Sequence, residues 1–376
     1  MKFIDISGRE VVKARLIRSV RENRVSHAQL FLGPEGSGKL SLALAYAQYL
    51  NCAHRTPTDS CGSCPSCIKY EKLIHPDLHF VYPVAKTKEI DKPLSKLFIA
   101  QWREMVFRQK AVFNQIDWYQ HIGLENKQGI INTEDCNEII RSLSYKSYES
   151  EYKVMIIWMV EKLFHAAAPK ILKILEEPPD KTLFILIAEQ SDLILPTILS
   201  RTQLVKFDRR SDNELMEALM QRTKCREDAA RKVMYISDGN LNKAIKIIES
   251  GETEQPDFEM FRSWMRLCFK KDIQEIFALS AEFHKMGRER QKRFFGYCLK
   301  ATRYCILNQF ENTQNVRAEG EELEFIRNFS PFINKANVEM LDKAFNEGHY
   351  HIERNGSANM IFSDISLRMT GWLRMK

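Results

Sequence analysis

Gly33-Pro-Glu-Gly-Ser-Gly-Lys39 joins a short apolar run, Ala28–Leu32, to a helical pattern that continues through Leu50. Gly-x4-Gly-Lys between a strand and a helix is the layout of a phosphate-binding loop. Its glycines let backbone N–H groups turn toward phosphate oxygens, the helix N-terminus adds its dipole, and Lys39 brings a point charge. A loop of this kind sits at the end of a buried strand, and the chain supplies companions for that strand. Leu78–Tyr82, Val154–Trp158, Leu183–Ala188 and Leu204–Phe207 are apolar runs separated by helical patterns. Together they predict an α/β domain built on a parallel sheet covered by helices on both faces.

Around the loop the catalytic set is incomplete. The residue after the lysine should be Ser or Thr, whose hydroxyl holds Mg²⁺. Here it is Leu40, and Ser41 comes one residue late on the helix. Hydrolysis also needs an Asp for the metal and usually a Glu to orient water, at the end of a neighbouring strand. After Val154–Ile157 stand Trp158 and Met159, and no carboxylate follows until Glu161. An aromatic ring and a thioether neither hold Mg²⁺ nor polarise water. Two readings of Gly33, Gly36, Gly38 and Lys39 stay open: a silent site that still holds ATP or ADP, and a vestigial loop that binds nothing.

Four of the nine cysteines fall in one window, Cys52, Cys61, Cys64 and Cys67. CGSCPSC is two overlapping C-x-x-C steps, a turn in which backbone amides face converging sulfurs. With Cys52 it makes four soft ligands, suited to tetrahedral Zn²⁺ with no open position, hence a structural ion. An iron–sulfur cluster and four unligated thiols are the alternatives, with His54 and His75 as spare candidates. The other five, Cys136, Cys225, Cys268, Cys298 and Cys305, read as small buried hydrophobes.

Between residues 85 and 127, Trp102, Phe107, Phe113, Trp118 and Tyr119 are mixed with lysines and arginines in what reads as a helical insertion. Such a pattern can stack and neutralise nucleic acid, or it can pack its rings on the domain. After Phe207 the strand pattern stops. Residues 208–253 read as a small helical bundle with Gly239 at a helix junction, Gly251–Asp257 as a linker, and 256–376 as helical throughout. The run Arg288–Arg293 in that region is read as a solvated face rather than a DNA contact. No stretch of the 376 residues approaches the roughly 18–20 apolar residues of a membrane span. The N-terminus has no signal-peptide core, so a cytoplasmic protein is expected. A net charge of +7 permits an acidic partner such as nucleic acid without demonstrating one.

RVSHAQLFLGPEGSGK, CGSCPSC, HPDLHFVYP, APKILKILEEPP and LPTILSRTQ occur in this order over about residues 1–207. In that order they resemble the clamp-loader branch of the AAA+ ATPases. The resemblance implies an AAA+ domain (1–207) with a zinc module at 52–67, a helical lid (208–253) and an all-α collar (256–376). Catalytic members carry an Asp-Glu pair where Trp158-Met159 stand, which implies no intrinsic ATPase activity. The S-R-C motif of the branch, here Ser200-Arg201-Thr202, implies that Arg201 reaches a neighbouring subunit's nucleotide as an arginine finger. Without the resemblance, Arg201 reads as a capping arginine. The lid's G-x-x-R arginine is Asn242 here, which removes a phosphate contact. The implied partners are other loader subunits of the gamma/tau and delta types in a hetero-oligomer. Through that complex they include the sliding clamp and primed DNA. Two rival functions remain: a working loader ATPase rescued by Ser41 and Glu161, and a zinc-dependent DNA-binding module. The 85–127 insertion is not part of the family pattern.

Overall fold

The computed structural model describes residues 1–124, 127–250, 256–310, 316–318 and 320–375. The chain divides into two compact units, Met1–Glu249 and Ser250–Lys376. In the first, the order is α1 (Glu10–Arg21), β1 (Ala28–Leu32), α2 (Lys39–Leu50), α3 (Pro65–Glu71) and β2 (Leu78–Val81). Then come α4 (Ile99–Arg108), α5 (Gln115–His121), α6 (Thr133–Ser144), β3 (Lys153–Trp158) and α7 (Ala168–Glu176). They are followed by β4 (Thr182–Ala188), α8 (Pro196–Leu199), β5 (Gln203–Lys206), α9 (Asp212–Thr223), α10 (Glu227–Ser237) and α11 (Leu241–Ser250).

The strands form one five-stranded sheet in the order β2-β3-β4-β1-β5. Every pairing is parallel, with Leu30 of β1 opposite Leu186 of β4 and Leu204 of β5. Near-continuous apolar strands belong in such a sheet because both faces are covered. Alternate residues feed two cores. Phe31, Ile156, Trp158 and Ile185 join α1, α2 and the residues 98–124 on one face. Leu30, Met155, Ile157 and Leu186 join α6, α7 and α8 on the other. The expected strands and helices are present, with ends shifted by one or two residues. Helices α9, α10 and α11 carry an apolar cluster of their own within the first unit.

The rings of the 85–127 segment correct the nucleic-acid reading. Trp102, Phe113, Trp118 and Tyr119 are buried, and Phe107 alone of the five is exposed, at 49%. Trp102 stacks on Tyr82 at 4.1 Å and meets Trp118 edge-on at 5.3 Å. Rings packed into a domain core have no face left for bases. Cys225 is a smaller correction: it is only partly buried, while Cys136, Cys268, Cys298 and Cys305 are buried.

The second unit is helical: α12 (Pro256–Lys270), α13 (Ile273–Lys285), α14 (Arg288–Gln309), α15 (Gly320–Phe329), α16 (Val338–Glu353) and α17 (Ala358–Trp372). Trp264 lies at its centre, stacked on Phe362 at 4.3 Å, with its indole N–H donating to Ser366 Oγ at 2.7 Å. The basic run at 288–293 is not wholly a solvated face. Gln291 and Lys292 are buried, and Arg293 forms a two-pronged ion pair with Asp257. Of the linker expected over Gly251–Asp257, residues 251–255 lie outside the described residues, and Pro256 and Asp257 open α12. Among the described residues no helix is long and apolar enough to cross a membrane.

Candidate functional site

Gly38 caps α2 with φ of 89°, and Gly36 has φ of 72°, conformations open to glycine at little cost. Both also lie under other side chains. A Cβ on Gly38 would stand 2.9 Å from the Arg210 guanidinium, and one on Gly36 would collide with the Asn240 amide. The loop is thus covered by residues that follow β5.

Lys39 is 6% exposed and folds back on its own loop. Its ammonium donates to the carbonyls of Gly33 at 2.5 Å and Pro34 at 2.7 Å. Burial lowers its pKa, with Glu189 and Glu161 opposing that shift. Arg9 donates from Nε to Ser37 O at 3.0 Å, and Arg210 from Nη1 to Ser7 O at 2.7 Å. Ser41 does not reach toward a metal position: its hydroxyl donates to Ala111 O at 3.2 Å. Trp158, at the end of β3, packs 5.3 Å from the Phe113 ring and 5.4 Å from Trp102. The space left beside Gly36–Leu40, bounded by Phe113, Trp158 and Glu189, is about 30 Å³. Small-molecule pockets run about 300–1,000 Å³; a separate cavity of about 710 Å³ is lined by Ser41, Leu44, Val112, Arg210 and Leu241.

Of the acids near Lys39, Glu161 is tied to the backbone of Glu189, and both are partly buried. Glu161 Oε1 accepts from Glu189 N at 2.9 Å, and burial raises the Glu161 pKa. Desolvation pushes the Glu189 carboxyl up to about 7, with Lys39 pulling the other way. Folding therefore holds a proton on Glu189 that the unfolded chain, with its ordinary value of 4.5, has lost. Stability from this group falls as pH rises from that value to about 7. Glu189→Gln is expected to flatten the slope, which melting temperatures measured across the window will check. Glu189 escaped the sequence reading, although its place just past a buried strand, where α/β sheets bind ligands, was a usable signal.

The four clustered cysteines come together as expected. Their sulfurs all lie within 4.8 Å of one another, and Cys61 and Cys67 are 3.9 Å apart. Zn–S bonds of about 2.3 Å give a tetrahedral edge of about 3.8 Å. Three backbone amides point at sulfurs: Cys61 N at Cys52, Cys64 N at Cys61, and Cys67 N at Cys64, at 3.3–3.4 Å. Those amides favour thiolates. Hydrogen bonds from the Ser63 and Cys64 amides draw Cys61 down to about 5, whereas burial pushes Cys52 and Cys67 up. The donor set fits one soft metal ion. His54 and His75 stay outside it; His75 Nε2 bonds Ser150 Oγ at 2.9 Å.

Arg201 stands apart from the phosphate-type loop. It follows α8, and its Nε donates to Glu176 Oε1 at 2.6 Å while Nη1 donates to Thr197 O at 3.0 Å. A third of its side chain remains exposed.

Residues 8–211 match the family model described as DNA polymerase III, delta subunit, which is more than half of the chain. The chain belongs to that family. The delta-subunit family membership agrees with the likeness of its motifs to clamp-loader subunits, delta-prime in particular. The delta′ subunit of DNA polymerase III from Bacillus subtilis is 31% identical over 192 residues, covering 51% of this chain and 45% of that protein. The gamma/tau subunit from Mycobacterium bovis is 28% identical over 205 residues, 54% of this chain and 28% of that protein. The chain thus spans less than half the length of these relatives. A solved gamma-subunit-related protein from Thermotoga maritima is 15% identical, covering 95% of this chain and 99% of that one at a TM-score of 0.34.

Proposed function

We propose that the chain is a non-catalytic, delta-prime-like subunit of the replicative DNA polymerase III clamp loader. It supplies Arg201 to the ATP site of a neighbouring subunit and helps load the sliding clamp on primed DNA. The observation that carries this reading is the replacement of the metal and water-orienting acids by Trp158 and Met159. The Trp158 ring is built into the core beside Phe113, so no carboxylate can swing in from that position. In the same chain, Arg201 keeps a restrained guanidinium with part of its surface open. A subunit that cannot build its own catalytic centre can still stabilise charge on a neighbour's γ-phosphate. The partners in this reading are gamma/tau and delta subunits, with 256–376 as the collar that joins them. The test is a reconstituted complex carrying Arg201→Ala, read out as DNA-stimulated ATP hydrolysis and clamp loading. Unchanged rates would sink the trans-arginine role.

The working-ATPase reading is disfavoured by Ser41 bonding to Ala111 O and by Glu161 bonding to the Glu189 amide. The isolated chain is expected to hydrolyse no ATP, with Lys39→Ala changing nothing.

In this reading Cys52, Cys61, Cys64 and Cys67 hold one Zn²⁺. Four protein ligands leave no open position, so the ion ties the Cys52–Cys67 loop to α3 and performs no chemistry. One zinc per chain by elemental analysis is the expected result. Cys64→Ser is expected to lower both zinc content and melting temperature, because metal binding free energy is folding free energy here. A chain that contains no zinc, or loses none of its stability on chelation, would refute the assignment.

A further inference from the structure

Between α4 and α5 the chain makes an unusual turn. Lys110 and Ala111, neither of them glycine, take successive positive φ values of 43° and 59°. Such conformations are strained for residues with a Cβ and persist only where surrounding contacts over-determine them. Here the turn drives Ala111, Val112 and Phe113 against Gly36–Leu40, where they line the small residual cavity. Ala111 O accepts the Ser41 hydroxyl, and Phe113 lies between Trp102 and Trp158, at 5.6 Å and 5.3 Å.

The same segment then reaches the lid helices. Val112 packs against the apolar cluster of α9, α10 and α11. Asn114 Nδ2 donates to Glu35 Oε1 at 3.0 Å, and the same oxygen accepts Asn240 Nδ2 at 3.0 Å. Asp117 accepts Asn242 Nδ2 at 2.9 Å and forms an ion pair with Lys246. Arg222 of α9 donates to Arg108 O at 3.4 Å. Asn242 is the position at which a G-x-x-R lid would present its arginine to phosphate. Its partner is a carboxylate of this chain instead.

We propose that residues 109–117 are an internal occupant of the nucleotide site. With Arg210 and Asn240 they cover the phosphate-type loop, and they bridge it to α9 and α11. Trp158 belongs to this device: the residue that removes catalysis also builds the aromatic seat for Phe113. The lid is therefore held against the sheet by covalently attached chain, and its placement does not respond to ATP or ADP. This inference goes beyond the proposed function and stands whether or not Arg201 acts in trans.

Hydrogen exchange of the full chain tests it. MgATP or MgADP at millimolar concentration is expected to leave the amides of 33–40 and 241–250 unchanged. Lys246→Glu places a repelling charge opposite Asp117 on a half-exposed side chain. It is expected to speed exchange in both 109–117 and 241–250 by about tenfold or more, with β3 and β4 amides unaffected. Asp117→Asn should act in the same direction. Should Asp117→Asn unfold the chain, which β3 and β4 exchange would reveal, Lys246→Glu carries the test. Nucleotide-dependent protection of 33–40 in the wild type would overturn the proposal. So would Lys246→Glu leaving both segments at their wild-type rates.

Discussion

Arg201→Ala in the reconstituted complex is expected to slow hydrolysis at the neighbouring site by about 10³–10⁵-fold, the range for arginine fingers. The fold of this chain and its place in the complex should survive, because Arg201 contributes only partly exposed contacts to Glu176, Thr197 and Ser200. Arg201→Lys should recover little. Lysine keeps the charge and loses the planar fork that grips two phosphate oxygens at once. Glu176→Gln separates positioning from chemistry. Its carboxylate holds the Arg201 Nε at 2.6 Å, so its neutral form should loosen the guanidinium and cost less than removing the arginine. Single-turnover hydrolysis distinguishes these variants from simple loss of assembly, which gel filtration reads directly. A complex that assembles and hydrolyses ATP normally with Arg201→Ala would leave the delta-subunit family membership intact and remove the proposed role.

Trp158→Asp is the second large effect. It restores one acid at the strand end where catalytic relatives of the branch carry it, yet it is expected to yield no ATPase activity. The ring is 6% exposed and bounded by Trp102 and Phe113. Losing a buried indole costs about 3–5 kcal/mol in transfer and cavity terms. The new carboxyl would also be desolvated, which disfavours its ionised form. Urea unfolding should show the unfolding free energy lowered by that amount, with Trp158→Phe much less affected because most of the packing is kept. Wild-type stability together with ATP turnover in Trp158→Asp would refute both the packing account and the non-catalytic reading.

Much of this molecule is legible in its residues. The five strands were visible as apolar runs because a parallel sheet buries both faces of every strand, leaving no polar alternation to confuse them. The cysteine cluster was visible because C-x-x-C steps are local: Cys61, Cys64 and Cys67 converge through one turn and the start of α3, whatever the rest of the chain does. The absence of a carboxylate at positions 158 and 159 was visible because strand β3 ends where its apolar run ends.

The 85–127 segment was not legible in the same way. Its aromatic and basic residues fit a nucleic-acid surface as well as a buried wedge, and only burial separates the two. Phe113 meets Trp158, Ser41 meets Ala111, and Asp117 meets Lys246 across 45, 70 and 129 residues of chain. No local periodicity encodes contacts of that range. Glu189 and Arg210 beside the loop were missed for the same reason: desolvation that shifts a carboxyl or buries a guanidinium is a property of assembled neighbours.

Sequence alone therefore established the parallel α/β sheet, the phosphate-type loop without its acids, and the four-sulfur cluster, since each rests on residues adjacent in chain or on burial of whole strands. Tertiary structure decided what lies over the loop. Close packing leaves about 30 Å³ beside Gly36–Leu40, and the atoms that cover the loop come from Ala111–Phe113, Trp158, Arg210 and Asn240, none of which is adjacent to it in the chain.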